Sequence, residues 1–173
     1  RANGDLVQRR FRLYQIMQQV DNGLAKEVRS VLKGSAETIS DAAWTAFGEH
    51  DYLIEDGTYI QFDTKNEFLE FLLRHPTKKQ TQKALDPNSP APAALSIPDD
   101  ACHYHHDELR TLTVREMARI QSFPDSFVFR SKVTTGGQQR KFEVPQYTQV
   151  GNAVPPLLGR ALGLSLQNLI QRL

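Results

Sequence analysis

From His75 to Pro92 the chain reads as something no central strand or helix tolerates. His75-Pro76 ends the pattern before it, Thr77 to Lys83 is polar and basic, and Asp86 to Pro92 carries Pro87, Pro90 and Pro92. Proline lacks a donor N–H and restricts the residue before it, so neither a ladder nor a helix could run through this stretch. It divides the 173 residues into a helical front half and a back half of different texture. A chain of this length suits one ordinary domain, or a domain with an appendage, and can bury a real core.

In the front half, apolar spacing predicts a helix from Leu6 to Val20 that Asn22-Gly23 breaks. A second helix follows, with Leu24, Val28, Val31 and Leu32 on one face, and ends at Gly34. Ser40 is placed to cap a short helix through Trp44 and Phe47. Tyr52 to Ile54 and Thr58 to Phe62 flank Asp56-Gly57, a hairpin signal, because that dipeptide supplies positive φ. Thr64 and Glu67 form a capping box ahead of Phe68, Leu69, Phe71 and Leu72.

In the back half, Leu95 to Ile97 and Phe127 to Phe129 read as short strands. Thr113 and Glu116 form a second capping box, opening a helix that places Met117, Ala118 and Ile120 at core spacing. Ser131 to Lys141 reads as a polar, glycine-containing loop. A last helix starts at Pro155, with Leu158, Ala161, Leu162, Leu166, Leu169, Ile170 and Leu173 as its apolar stripe. The fold class is α+β: a helical lobe with a small β-hairpin, a short-stranded lobe, and a C-terminal amphipathic helix.

The formal net charge is only +1, from 21 Lys+Arg against 20 Asp+Glu. Summed by segment, residues 1–36 carry +4, 37–70 carry −8, 71–85 carry +4, 86–127 carry −4 and 128–173 carry +5. A near-neutral total therefore hides basic stretches able to hold phosphates, balanced by an acidic scaffold expected to face away from them. No apolar run approaches the ~18–20 residues of a membrane span, and no signal-peptide pattern is visible. One cysteine excludes an intramolecular disulfide framework, and a reducing, cytosolic setting fits best. The chain begins at Arg1, so it is expected to be part of a longer protein.

No glycine-rich phosphate loop, zinc-type cysteine pair or serine-nucleophile elbow is present. Cys102-His103-Tyr104-His105-His106 lacks a second sulfur or a partnered spacing, so it reads as a solvated or core-edge cluster, with no metal.

Two stretches are far more specific. Arg110-Thr-Leu-Thr-Val-Arg-Glu-Met-Ala-Arg-Ile-Gln-Ser-Phe-Pro-Asp-Ser-Phe127 resembles the ninth signature block of the DNA cytosine-5 methyltransferases. Gln149-Val-Gly-Asn-Ala-Val-Pro-Pro156, with the helix after it, resembles the tenth. They stand in the family's order, separated by a polar loop, and Ser89-Pro-Ala-Pro with Ile97-Pro-Asp-Asp resembles the end of a target-recognition region in bacterial members. The front half resembles the family only by position. The family's nucleophile is a Cys in a Pro-Cys dipeptide, whereas Cys102 follows Ala101, and the Phe-x-Gly-x-Gly, Glu-Asn-Val and Gln-x-Arg-x-Arg segments are absent. The resemblance is thus to the C-terminal half alone. Residues 1–74 would be the helical and hairpin part of the recognition region, 75–146 the DNA-reading lobe with the ninth block, and 147–173 the tenth block and terminal helix.

That resemblance implies an enzyme that flips a cytosine out of double-stranded DNA, attacks carbon 6 with a thiolate, and methylates carbon 5 from S-adenosylmethionine. The thiolate and most of the cofactor pocket would lie in the catalytic half, so this chain carries no catalytic residue and is expected to be inactive alone. Asn152, Ala153 and Val154 would contact the cofactor. Gly151 and the backbone N–H groups of the helix start lend that reading some support. DNA contact is expected from two basic loops: Lys78, Lys79, Gln80, Gln82 and Lys83 in one, and Thr134, Thr135, Gln138, Gln139, Arg140 and Lys141 in the other. Lysines there would hold phosphates, while glutamine and arginine could read bases. Arg115 and Arg119 share a helix face, where they would hold phosphates or pair with Glu116 and Asp125; structure is favoured over base contact. The terminal stripe would pack on a Rossmann-like catalytic domain in the same or a separate chain. Without that domain, Gly159 and Gly163 would permit a homodimer. A bacterial, cytoplasmic, nucleoid-associated protein of restriction-linked or regulatory role is implied, or a non-catalytic DNA-binding module derived from one.

Overall fold

A computed structural model describes residues 3–78, 82–92, 101–103, 105, 107–134 and 142–172. Among these residues there are seven helices and two two-stranded sheets, an α+β arrangement. The chain divides into two compact units, Arg1–Pro90 with Asp100–Thr111, and Ala91–Asp99 with Leu112–Leu173.

The first unit is built around α1 (Asp5–Gln19), which buries Phe11, Leu13, Tyr14, Gln15, Ile16 and Met17. So many successive positions are covered because the helix is central, touching α2 (Asn22–Leu32), β1 (Tyr52–Leu53) and β3 (Lys83–Ala84). Asn22-Gly23 does not simply break the first helix; it opens the second, since the Asp21 carboxylate accepts from the N–H groups of Gly23 and Leu24. Gly34, at φ 70°, closes α2 in the left-handed region. Ser40 caps α3 (Asp41–Gly48) by accepting from Ala43 N.

The hairpin forms as expected. β1 pairs antiparallel with β2 (Tyr59–Ile60), Gly57 takes φ 84°, and Asp56 Oδ1 accepts from Thr58 N at 2.8 Å. Thr64 and Glu67 complete their capping box at the start of α4 (Lys65–Leu73). Phe47, Tyr52, Phe62, Phe68 and Phe71 then stack into one aromatic cluster, and the buried Tyr52 hydroxyl donates to Phe47 O at 2.7 Å. A short strand does occur in the proline-rich stretch. β3 pairs in parallel with β4 (Ala101–Cys102), a non-local ladder that local pattern does not reveal. The buried Gln15 amide fastens the segment after β4, donating to His103 O at 3.0 Å and His105 O at 2.6 Å.

The second unit contains α5 (Val114–Ile120), α6 (Gln146–Asn152) and α7 (Pro156–Ile170). The Thr113–Glu116 capping box is present, and Met117 and Ala118 are buried. Ile120, expected in the core, is exposed. Phe127 to Phe129 do not form a strand: their rings cluster with Phe123, and the Phe127 carbonyl is taken by the Arg115 guanidinium at 2.7 Å rather than by a ladder. The expected strand at Leu95 to Ile97 lies outside the described residues. α6 was not anticipated. It absorbs Gly151 and Asn152 into a helix, so Gly151 serves no open loop, and α7 starts one residue later than expected.

Candidate nucleic-acid and cofactor interface

Glutamine amides organise the second unit. Gln121 ends α5 and is buried; its Nε2 donates to Val150 O of α6 at 2.7 Å. The buried Tyr147 hydroxyl returns from α6 to Leu112 O, just ahead of α5, at 2.6 Å. Gln146 donates to Phe129 O and Ser131 O, and Gln149 to Arg130 O and Val144 O. These amides satisfy carbonyls of irregular backbone that no ladder covers. They hold the ninth-block and tenth-block segments against each other. Gln15, Gln121 and Gln146 escaped the sequence reading because glutamine on a helix normally marks the wet face. Gln121 does follow Met117 by four residues, which was the available signal that it shares the buried face.

Ser122 completes the junction. It holds φ 62°, and its hydroxyl accepts from Leu157 N at 3.1 Å. The helix start is therefore poorer in donors than expected: Pro155 and Pro156 have no N–H, and that of Leu157 is engaged.

Asn152, Ala153 and Val154 run from the end of α6 to the start of α7, with Asn152 and Val154 exposed and Ala153 half-buried. An amide, a methyl and a branched apolar side chain on open surface suit one wall of a nucleoside-sized pocket; they do not enclose one. Leu157 to Ile170 are all exposed, seven of them leucine or isoleucine. A helix apolar around most of its circumference is ordinarily covered by other protein.

Of the two basic loops, Lys78, Gln82, Lys83 and Thr134 are described. Lys79, Gln80, Thr135, Gln138, Gln139, Arg140 and Lys141 lie outside the described residues. Lys78, Lys83 and Thr134 are exposed, while Gln82 is half-buried and its Oε1 accepts from Tyr14 OH at 2.7 Å. Of the two readings for the α5 face, the described residues show the pairing: Arg119 meets Asp125 through two contacts of 2.8 and 2.9 Å, and Glu116 is engaged in its cap.

The surroundings of Cys102 disfavour its thiolate. The residue is buried, and loss of solvent pushes its thiol up to about 12. His103 faces Glu108 at 3.3 Å, His105 faces Asp107 at 3.7 Å, and no metal-binding group of side chains occurs among the described residues.

The two joined segments are the ninth and tenth blocks of the resemblance, and comparison with known proteins agrees. Residues 5–168 match the family described as C-5 cytosine-specific DNA methylase, and the chain belongs to that family. The match takes in the helical front half, which resembled the family only by position.

Relatives include the type II methyltransferase M1.HphI of Haemophilus parahaemolyticus, 38% identical over 57% of this chain and 23% of its own length. M.DdeI of Desulfomicrobium norvegicum is 46% identical over 44% of this chain and 18% of its own. M.AquIB of Picosynechococcus is 43% identical over 47% of this chain and 59% of its own. The matched part thus spans less than a quarter of the first two relatives. No solved structure matches. Among the described residues, no helix is long and apolar enough to cross a membrane.

Proposed function

We propose that this chain is the target-recognition and cofactor-closing part of a DNA cytosine-5 methyltransferase that transfers methyl from S-adenosylmethionine to carbon 5 of cytosine in double-stranded DNA. Residues 1–74 and 75–146 contribute the helical and DNA-reading parts of recognition, and 147–173 return to the catalytic half. Lys78, Gln82, Lys83 and Thr134, with the remaining loop residues between 79 and 141 already named, contact DNA. Asn152, Ala153 and Val154 form one wall against the cofactor, whose methyl group the catalytic half would deliver to the base. The protein acts in a bacterial cytoplasm, on nucleoid DNA.

The observation that carries this reading is the junction itself. Both blocks are locked together by Gln121 and Tyr147, and the helix leaving them exposes its whole apolar surface. A rigid junction with an uncovered helix is what a part made to dock on another domain needs. The test is methyl transfer from labelled S-adenosylmethionine to duplex DNA. The chain alone is expected to give none, and the chain mixed with a catalytic half carrying the Pro-Cys motif is expected to give transfer. Transfer by the chain alone would overturn the assignment.

One comparison favours a second arrangement. The match fills 59% of M.AquIB but 23% and 18% of the other two relatives, so short chains occur among the relatives. A catalytic partner in a separate chain fits that. A Pro-Cys and a Phe-x-Gly-x-Gly in the reading frame upstream of Arg1 would exclude it.

A further inference from the structure

In the second unit, Arg119 is paired with Asp125 and Lys132 with Glu143. In the first unit, Lys65 has Asp41 and Arg110 has Glu108. Arg10, Arg29, Lys33, Arg74 and Lys78 form no ion pair among the described residues, and they share a place in the fold. Backbone geometry brings them to one region. Thr77 N donates to Leu32 O at 2.9 Å, which seats the residue before Lys78 beside the end of α2, where Arg29 and Lys33 stand. Arg10 donates to Pro76 O, two residues from Arg74 and two from Lys78. Tyr14 OH holds Gln82 at the far side of the same loop. The electrostatics agree: Arg10 and Arg29 both act on the buried Tyr14 hydroxyl, and Arg10 and Arg74 both disfavour protonation of His75.

The chemistry of the five is uniform. Lys33, Arg74 and Lys78 are exposed, and Arg10 and Arg29 are half-buried. Lys33 and Arg74 cap the C-termini of α2 and α4, where orphan carbonyls tolerate positive charge but leave the guanidinium and ammonium groups facing outward. Arg10 Nε is buried with no partner among the described residues. Five like charges with no ion-pair partner among the described residues repel one another, and an anion with repeated charge lying across them would relieve that. Duplex DNA, with a phosphate every few ångströms along each strand, is such a polyanion.

We infer that Arg10, Arg29, Lys33, Arg74 and Lys78 form a phosphate-binding track for double-stranded DNA on the helical unit, extending contact from the basic loop onto α1, α2 and α4. This rests on the DNA-binding reading above. It assigns four of these residues a role that the loops alone do not supply. Because such contacts are to the backbone, they contribute affinity and register and no sequence preference.

The test is fluorescence-anisotropy titration of the full chain against a labelled duplex oligonucleotide of mixed sequence over a range of salt. Arg29→Gln, Lys33→Gln and Arg74→Gln together are expected to weaken binding several-fold at low salt. They should also flatten the slope of log K against log salt by about 2–3, since each phosphate contact contributes about 0.9. Lys65→Gln, which removes a paired cation, is the control and should change little; an equal loss there would reduce the effect to net charge and overturn the track. Unchanged affinity and slope in the triple variant, with a native circular dichroism spectrum, would also overturn it. Should the triple variant lose its fold, Lys33→Gln alone, at an exposed helix end, carries the same test with a slope change of about 1. If the unaltered chain binds no duplex, the DNA-binding reading and the track fall together. If neutralising Lys78, Lys79 and Lys83 weakens binding and the triple variant does not, the track alone falls.

Discussion

The hydroxyl of Ser122 accepts a hydrogen bond from the backbone N–H of Leu157 across 35 residues of sequence, at 3.1 Å. Ser122 sits just after α5 and Leu157 in the first turn of α7, so one serine in a left-handed conformation fixes the direction in which the exposed terminal helix leaves the junction.

Ser122→Ala therefore removes a helix cap and retains the unfavourable φ of 62°. We expect a loss of about 1 kcal/mol, the usual cost of losing such a cap. Ser122→Gly loses the same bond but relieves the backbone, so it should be the milder change. Urea unfolding of both variants checks the order, and faster amide exchange at Leu157 locates the effect.

Gln121→Leu keeps volume but leaves Val150 O with only the longer 3.3 Å bond from Ala153 N in place of the 2.7 Å amide bond. The expected cost is about 1–3 kcal/mol. Tyr147→Phe strips Leu112 O of its donor in the same way and should cost about as much. Both bonds tie α5 to α6, so a double-mutant cycle measured by thermal unfolding should show that the two losses are not additive.

His75 gives a pH signature. Arg9 Nε donates to its Nε2, so its proton sits on Nδ1 and is donated to Phe71 O. Burial, helped by Arg9, Arg10 and Arg74, holds its pKa below the ordinary 6.5. The unfolded chain then takes up a proton more readily than the folded one. Stability is fully present above about pH 6.5 and falls as pH drops below that toward the folded value. Denaturant unfolding from pH 7 to pH 5 should show that decline, and His75→Gln should flatten it, the residue being due to His50, which burial also depresses.

Cys102 should resist alkylation by iodoacetamide at pH 8 in the native chain and react promptly in denaturant, as mass spectrometry would report. Cys102→Ala should leave methyl transfer by the reassembled enzyme intact.

Gly159 and Gly163 have open space where a Cβ would stand. Replacing each with Ala should stabilise α7 in the isolated chain by about 1 kcal/mol through helix propensity. If the face is a contact surface, the same changes should weaken docking of the catalytic half or self-association, read by sedimentation. The exposed leucines predict measurable association of the isolated chain, which Leu162→Glu with Leu166→Glu should abolish.

The parts legible in the sequence are those whose physics is local. Two capping boxes, the Asp56-Gly57 turn and the Ser40 cap form as read because donor, acceptor and backbone conformation all lie within four residues. The strand expected at Phe127 to Phe129 fails for the complementary reason. Two phenylalanines flanking a valine satisfy strand propensity, but a strand exists only with a partner, and here the rings cluster while Arg115 takes a carbonyl. β3 and β4 are the converse: two weak dipeptides become strands because α1 brings a surface on which they can pair.

At the candidate site the division is similar. Sequence alone determined the two blocks, their order, the wrong context of Cys102 and the uneven distribution of charge. It could not separate a glutamine that wets a helix from one that supplies the buried bond at a junction, because both look alike within one turn. Tertiary structure decided that Gln15 and Gln121 are internal, that the half-buried Gln146 bonds distant carbonyls, that Gly151 belongs to a helix, and that Leu157 is capped from Ser122. It also brought Arg10, Arg29, Lys33, Arg74 and Lys78 together from three helices and a loop. Caps and turns are settled by neighbours in the chain, whereas burial and charge clustering depend on which distant segments share a surface.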